Sequence, residues 1–238
     1  MKHILRRIIF QINKIMLSGN KYYCIICDRN YRKFFSVGKR SNVRCPGCGS
    51  FERHRLLFYF LKEKTTIFKS EYSVMEVAPL LTIHRLFNKL GNIKYTSIDL
   101  ESDYVTSKVD LTKLPFENDT YDCIFCYHVL EHIEDDIQAL SEMFRVLKKG
   151  GFAIVQSPLD KSLEKTLQYD NTKTPESRLK AYGQKDHVRI YGRDFISRIE
   201  SVGFGVTEDK FINSFSDEDI NKFALDKEEY INFCYKPL

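Results

Sequence analysis

No run of about 18 uninterrupted apolar residues occurs in this chain of 238 residues, so a transmembrane helix is not expected. Proline is sparse at six and glycine stands at eleven, which excludes collagen-like and low-complexity chains. No repeat with a period of about 20–50 residues is present, which excludes solenoids and propellers. Acidic residues are nearly missing from the first 70 positions, which hold 3 Asp/Glu against 16 Lys/Arg, a net of +13. Residues 71–238 carry a net of −8. Such a division raises the prospect of an anionic partner for the basic third: nucleic acid, a membrane surface or a phosphorylated substrate. A solvated face is the competing reading. A secretory signal is not expected, because Lys2, Arg6, Arg7 and Lys14 interrupt the first apolar stretch and no small-residue cleavage site follows. Seven cysteines fit no secreted disulfide framework, so a reducing cytoplasm is the expected compartment.

What is present is globular in character. Hydrophobic residues make up 43% and charged residues 29%, enough for a substantial core in one large domain, or one plus a small module. Leu5, Ile8, Ile9, Ile12, Ile15 and Met16 recur at helical spacing, which predicts an amphipathic helix over residues 1–17. It could lie on an anionic membrane, or pack on its own protein or a dimer partner. Two cysteine pairs follow, Cys24-x2-Cys27 and Cys45-x2-Cys48, seventeen residues apart. A two-residue spacer lets a tight turn aim both sulfurs at one point. Four thiolates at about 2.3 Å complete a tetrahedral zinc ion, and two such turns joined by a hairpin make a zinc ribbon. Tyr31, Phe34, Phe35 and Val37 suit its short strands. Residues 50–64 read as a connecting helix with Ser50 as N-cap and Glu52 in its first turn.

From Tyr72 onward, short apolar runs alternate with amphipathic stretches. Strands are predicted at 72–78, 93–98, 121–127, 151–157, 204–211 and 230–235, and helices at 81–90, 131–148 and 193–202. Gly150-Gly151 reads as the end of the second of those helices. Residues 171–185 lack periodicity and read as a surface loop or lid. The fold class expected is α/β: a doubly wound, mostly parallel sheet with a small N-terminal four-cysteine zinc ribbon. The expected domains are 1–19, an amphipathic helix; 20–50, the ribbon; 51–70, the connecting helix; and 71–238, the sheet domain.

Ligands of a doubly wound sheet bind beyond the carboxyl ends of its strands. Glu76 lies near the end of the first strand and Asp99 closes the second. Asp110 follows about eleven residues later. A carboxylate ending the second strand can accept hydrogen bonds from both hydroxyls of a ribose. One after the third segment can receive an adenine amino group. Cys123, Cys126 and Cys234 read as buried core thiols rather than nucleophiles.

Residues 72–211 resemble class I S-adenosylmethionine-dependent methyltransferases. The resemblance rests on Asp110–Phe116, on Tyr121-Asp122-Cys123-Ile124 and on His128-Val129-Leu130-Glu131-His132. It continues through Phe144–Gly151, through His187–Tyr191, and through Phe195 and Gly203-Phe204. It implies an α/β, doubly wound, mostly parallel seven-stranded Rossmann-like sheet, and S-adenosylmethionine as cofactor, with Glu76, Ala78, Pro79, Asp99, Leu100, Asp110, Leu111 and Tyr127 around it. One departure stands out. Ala78, Leu80 and Thr82 replace the glycines expected in the first turn, and Leu80 disfavours the positive φ that glycine allows. A rerouted turn is therefore expected, with the cofactor carboxylate served by the start of the 81–90 helix and by Thr82.

His128 and His187 are the catalytic candidates, since a hydroxyl nucleophile needs a base within hydrogen-bond reach. Glu131-His132 is similar to the metal-binding pair of some magnesium-assisted O-methyltransferases. Without the rest of that constellation it reads as a helix start. The activity expected is methyl transfer to a small molecule or glycan precursor. An alternative is RNA methylation with the basic ribbon gripping phosphate, since Tyr22, Tyr23, Tyr31, Phe34 and Phe35 alternate with cations. A second alternative is a non-catalytic methyltransferase-like binding module.

Overall fold

A computed structural model describes the backbone of residues 2–238 and the side chains from residue 9 onward. Two compact units form, each discontinuous in the chain. One holds Met1–Ser70, Leu80–Asn92 and Asp209–Ile231; the other holds Glu71–Pro79, Ile93–Glu208 and Asn232–Leu238.

The first unit begins with α1 (Lys2–Met16). The side chains of Leu5, Arg6, Arg7 and Ile8 lie outside the described residues. Ile9, Ile12, Ile15 and Met16, from the same apolar stripe, are exposed. β1 (Ser18–Cys24) pairs antiparallel with β2 (Arg29–Tyr31), and β3 (Phe35–Val37) with β4 (Arg40–Arg44). Tyr31 and Phe34 are buried and meet edge to face at 5.9 Å, so aromatic rings fill the interior of this small ribbon. α2 (Glu52–Lys64) follows. The expected Ser50 cap is corrected. Phe51 precedes the first turn and donates its N–H to His54 Nδ1 at 3.1 Å. Arg55, fully buried on α2, donates to the carbonyls of Val43, Ser50, Phe223 and Ala224. It thereby ties the ribbon to the end of α7 (Asp217–Phe223). The short α3 (Leu81–Phe87) completes the unit, with Phe87 packed on Phe58 and Phe68.

The second unit is built on a seven-stranded sheet: β5 (Tyr72–Val77), β6 (Ile93–Asp99), β7 (Ser107–Lys108), β8 (Tyr121–Tyr127), β9 (Leu147–Gln156), β10 (Gly205–Asp209) and β11 (Ile231–Tyr235). Its order is β10-β11-β9-β8-β5-β6-β7. The pairs β5–β6, β5–β8, β6–β7 and β8–β9 are parallel, and β11 runs antiparallel to β9. Central strands such as β8 are mostly apolar because both faces are covered. Cys123, Cys126 and Cys234 are buried among them, and burial pushes all three thiols up from their ordinary range.

Several boundaries differ from expectation. The predicted 131–148 helix is a 3-10 turn over Leu130–His132 followed by α4 (Asp136–Val146). Asp135 starts α4 by accepting the Gln138 N–H at 2.9 Å. β9 already begins at Leu147, so Gly150-Gly151 lies inside a strand, with Gly150 at φ +74°. The expected loop at 171–185 contains α5 (Pro175–Tyr182), capped by Thr174 and closed by left-handed Gly183. α6 (Phe195–Glu200) is shorter than predicted, and α7 was not foreseen.

Candidate functional site

The strand order of the second unit reverses between β5 and β8, and the carboxyl ends there open onto a cleft of about 740 Å³. That volume lies in the range of small-molecule sites, and the switch point is where doubly wound sheets bind ligands. Six of the residues expected around a cofactor or in catalysis line it: Ala78, Asp99, Leu100, Asp110, Leu111 and His128. Asp99 Oδ1 accepts the backbone N–H groups of Glu101 and Ser102 at 2.8 and 2.9 Å, which fixes the carboxylate at the end of β6. Asp110 Oδ1 accepts both the N–H and the hydroxyl of Thr112, each at 2.8 Å. In each case the second oxygen accepts no hydrogen bond among the described residues. The two fixed carboxylates fit a ribose diol and an adenine amino group, in a cleft that also holds Glu101, Glu134, Asp135, Asp186 and His132 beside its aliphatic residues.

Two non-glycine residues of the cleft wall have left-handed backbone, Ala78 at φ +47° and His128 at φ +54°. Each costs about 1–2 kcal/mol, and such residues cluster at binding sites. Neighbouring strands hold both in place: Ala78 donates to Ile98 O and His128 to Gln156 O, each at 2.8 Å. Leu80 avoids the positive φ that leucine disfavours: its φ is −65°, and the left-handed residue of the turn is Ala78, two positions earlier. The Thr82 hydroxyl, expected toward a cofactor carboxylate, instead donates to Cys48 O at 2.8 Å in the first unit.

Glu76, Pro79, Tyr127 and His187 do not line the cleft. Glu76 is sealed in the sheet, where its Oε2 accepts the Tyr95 hydroxyl at 2.5 Å. Burial pushes its carboxyl up to about 8, against a smaller lowering by that hydrogen bond. The Pro79 carbonyl accepts the Tyr104 hydroxyl at 2.6 Å. Tyr127 is half-buried at the end of β8. His187 is buried and packs edge to face against His132 with ring centroids 4.8 Å apart.

The 3-10 turn brings further groups to the cleft edge. Glu131 is buried, with Oε1 3.5 Å from His128 Nδ1 and Oε2 accepting the Ser157 hydroxyl at 2.9 Å. Burial raises its pKa, but His128, its own backbone and Ser157 outweigh this and leave it below the ordinary value. Burial, then the neighbouring His132, lowers His187. A buried network holds this region. Arg189 donates to the carbonyls of Leu130, Ile133 and Glu134, while Asp136 accepts from Tyr191 and Arg198. Sequence reasoning missed Asp136 and Arg198. The signal was a polar residue at an apolar-periodic position, which needs a partner when buried.

In the first unit, the four knuckle cysteines converge. Cys24 and Cys48 Sγ are 3.6 Å apart, Cys27 and Cys45 Sγ 3.7 Å, and all four lie within 4.8 Å of one another. A tetrahedral ion with bonds of about 2.3 Å places its sulfurs about 3.8 Å apart, so the donor set fits zinc. The Ser50 hydroxyl is 3.1 Å from Cys48 Sγ and 3.4 Å from Cys24 Sγ, where it can steady the thiolates.

The strand order and the cleft at its reversal define a Rossmann-like α/β fold. Residues 82–155 match the family model described as a methyltransferase domain. Among curated relatives, a demethylmenaquinone methyltransferase of Streptomyces avermitilis is 44% identical over 46 residues, 19% of this chain and 20% of that protein. The ubiquinone/menaquinone biosynthesis C-methyltransferase UbiE of Marinomonas sp. is 36% identical over 66 residues, 28% of this chain and 22% of that protein. The chain thus spans about a fifth of the length of these relatives. Among solved structures, the cyclase SpnF superposes with a TM-score of 0.55 at 14% identity, over 99% of this chain and 95% of that one, a likeness of fold alone. Among the described residues, no helix is long and apolar enough to cross a membrane.

Proposed function

We propose that the protein is an S-adenosylmethionine-dependent methyltransferase acting on a small molecule or glycan precursor, and that Cys24, Cys27, Cys45 and Cys48 hold a structural zinc ion. The observation that carries the reading is the switch-point cleft with Asp99 and Asp110 fixed at its rim. When bound, the cofactor supplies an electrophilic methyl group on a sulfonium. Asp99 would accept from its ribose hydroxyls and Asp110 from its adenine amino group, while Leu100 and Leu111 give the ring apolar cover. Catalysis then consists of aligning the acceptor and excluding water. His128, its Nδ1 3.5 Å from the Glu131 carboxylate, would take the proton of an acceptor hydroxyl. Four thiolates fill the coordination of zinc and leave it no catalytic position.

Cleft size supports a small acceptor, in keeping with relatives named for quinone biosynthesis. Burial of Tyr31 and Phe34 in the ribbon removes two of the rings that an RNA reading would use for base stacking. Calorimetric titration of zinc-loaded protein with S-adenosylmethionine and with its demethylated product tests the proposal. Micromolar dissociation constants are expected. No heat of binding up to millimolar ligand would overturn the enzyme reading in favour of a non-catalytic module.

A further inference from the structure

We propose that Glu131, His132 and His187 bind one divalent transition-metal ion at the edge of the cofactor cleft. The three side chains offer one carboxylate oxygen and two imidazole nitrogens within 4.8 Å of one another. His132 Nε2 lies 4.0 Å from Glu131 Oε1. Ligand atoms around an ion with bonds of about 2.1 Å are spaced about 3–4 Å apart, so small side-chain rotations close the site.

Two of the three ligands, Glu131 and His132, are already aimed by a second contact, as metal ligands are. Ser157 holds Glu131 Oε2, while Oε1 faces His132 Nε2 at 4.0 Å and His128 Nδ1 at 3.5 Å. His132 Nδ1 is 3.2 Å from the Asp186 carbonyl and 3.4 Å from its carboxylate, which turns Nε2 toward Glu131. The two segments are joined by backbone, Val188 N–H donating to Glu131 O at 2.9 Å, and by Arg189, whose guanidinium reaches the carbonyls of Leu130 and Glu134. The ligands come from a 3-10 turn and a distant stretch of chain, which is why the local sequence around Glu131-His132 did not reveal the third.

The donor set selects the ion. Two imidazoles and one carboxylate suit zinc, manganese, iron or cobalt, whereas calcium and magnesium favour oxygen. Three protein ligands leave coordination positions open, and His132 and Asp186 both line the cleft. Resting on the methyltransferase reading, those open positions would take an oxygen of the methyl acceptor and favour its deprotonated form. The acceptor class is then one with a hydroxyl or enol oxygen.

Manganese is the probe, because it prefers nitrogen and oxygen and leaves a zinc-filled thiolate site alone. Full-length, zinc-loaded protein is titrated with Mn²⁺ and free ion is read by electron paramagnetic resonance. One bound Mn²⁺ per chain with a micromolar dissociation constant is expected. His132→Ala, at a partly exposed position, and His187→Gln should each weaken it at least tenfold with the thermal midpoint kept. If His187→Gln does not fold, His132→Ala alone decides. No binding below millimolar Mn²⁺ or Co²⁺, or unchanged binding in the variants, overturns the site. Cofactor titration is a separate measurement: protein that binds S-adenosylmethionine but no Mn²⁺ refutes the metal site alone, and the reverse refutes the enzyme reading alone.

Discussion

Glu76 keeps its proton at neutral pH because burial disfavours the carboxylate more than the Tyr95 hydroxyl stabilises it. Its pKa is raised from 4.5 in the unfolded chain to about 8 in the folded protein. Between those values the folded state holds a proton that the unfolded state has released, so this contribution is full below about pH 4.5 and is lost as pH rises through 8. Stability should decline across that window by up to about 1.4 kcal/mol per pH unit from this group. Glu76→Gln, which still accepts the tyrosine hydrogen bond, should flatten the decline, as scanning calorimetry at a series of pH values can read. Parallel curves for the two proteins would contradict the assignment.

Ala78 supplies a second prediction at this scale. With φ at +47°, Ala78→Gly should be unchanged or up to about 1 kcal/mol more stable, the backbone relief being partly offset by unfolded-state entropy. Ala78→Val, with a branched side chain in the same conformation, should lower the thermal midpoint by several degrees. A gain in stability for valine would show that the turn relaxes freely. Asp99 and Asp110 were legible in the sequence because a strand end fixes where a carboxylate points. The turn was not: which residue takes the positive φ depends on the path of the whole segment, and it is Ala78 rather than Leu80 that does so.

Among the elements, the ribbon was the most legible, since spacing alone brings four sulfurs together. Its attachment was hidden. Arg55 reaches the carbonyls of Phe223 and Ala224, far away in the chain, and no local pattern encodes that contact. The boundaries of α4 and β9 slipped because Val146 and Leu147 continue one apolar run across the change from helix to strand. α5 was missed although Thr174-Pro175-Glu176 is a helix start by composition, with Pro at N1 and an acidic first turn. Its exposed, weakly amphipathic face concealed it. Removing the thiolate centre should respect these connections. In Cys45→Ser, or after chelation, hydrogen exchange should lose protection over residues 18–64 and also over 211–224, while β5, β6, β8 and β9 keep theirs. The parent protein should carry one zinc per chain by metal analysis. Unchanged protection at 211–224 would mean that Arg55 does not transmit the loss, and less than half an equivalent of zinc would count against the ribbon.

For the whole molecule, the alternation of strands and helices after Tyr72 was enough to anticipate a doubly wound sheet. Strand order was not in the local pattern, although right-handed crossovers restrict the choices. The charge division sharpens rather than explains the fold: the basic third coincides largely with the thiolate unit, and the acidic remainder holds the cleft. The central claim is that this cleft binds S-adenosylmethionine through Asp99. The most direct measurement is the calorimetric dissociation constant of S-adenosylmethionine for the parent and for Asp99→Ala. A loss of about 1.5–3 kcal/mol, roughly 10- to 150-fold, is expected for hydrogen bonds to a charged group. Equal affinities in a folded variant would place the ribose elsewhere and contradict the account.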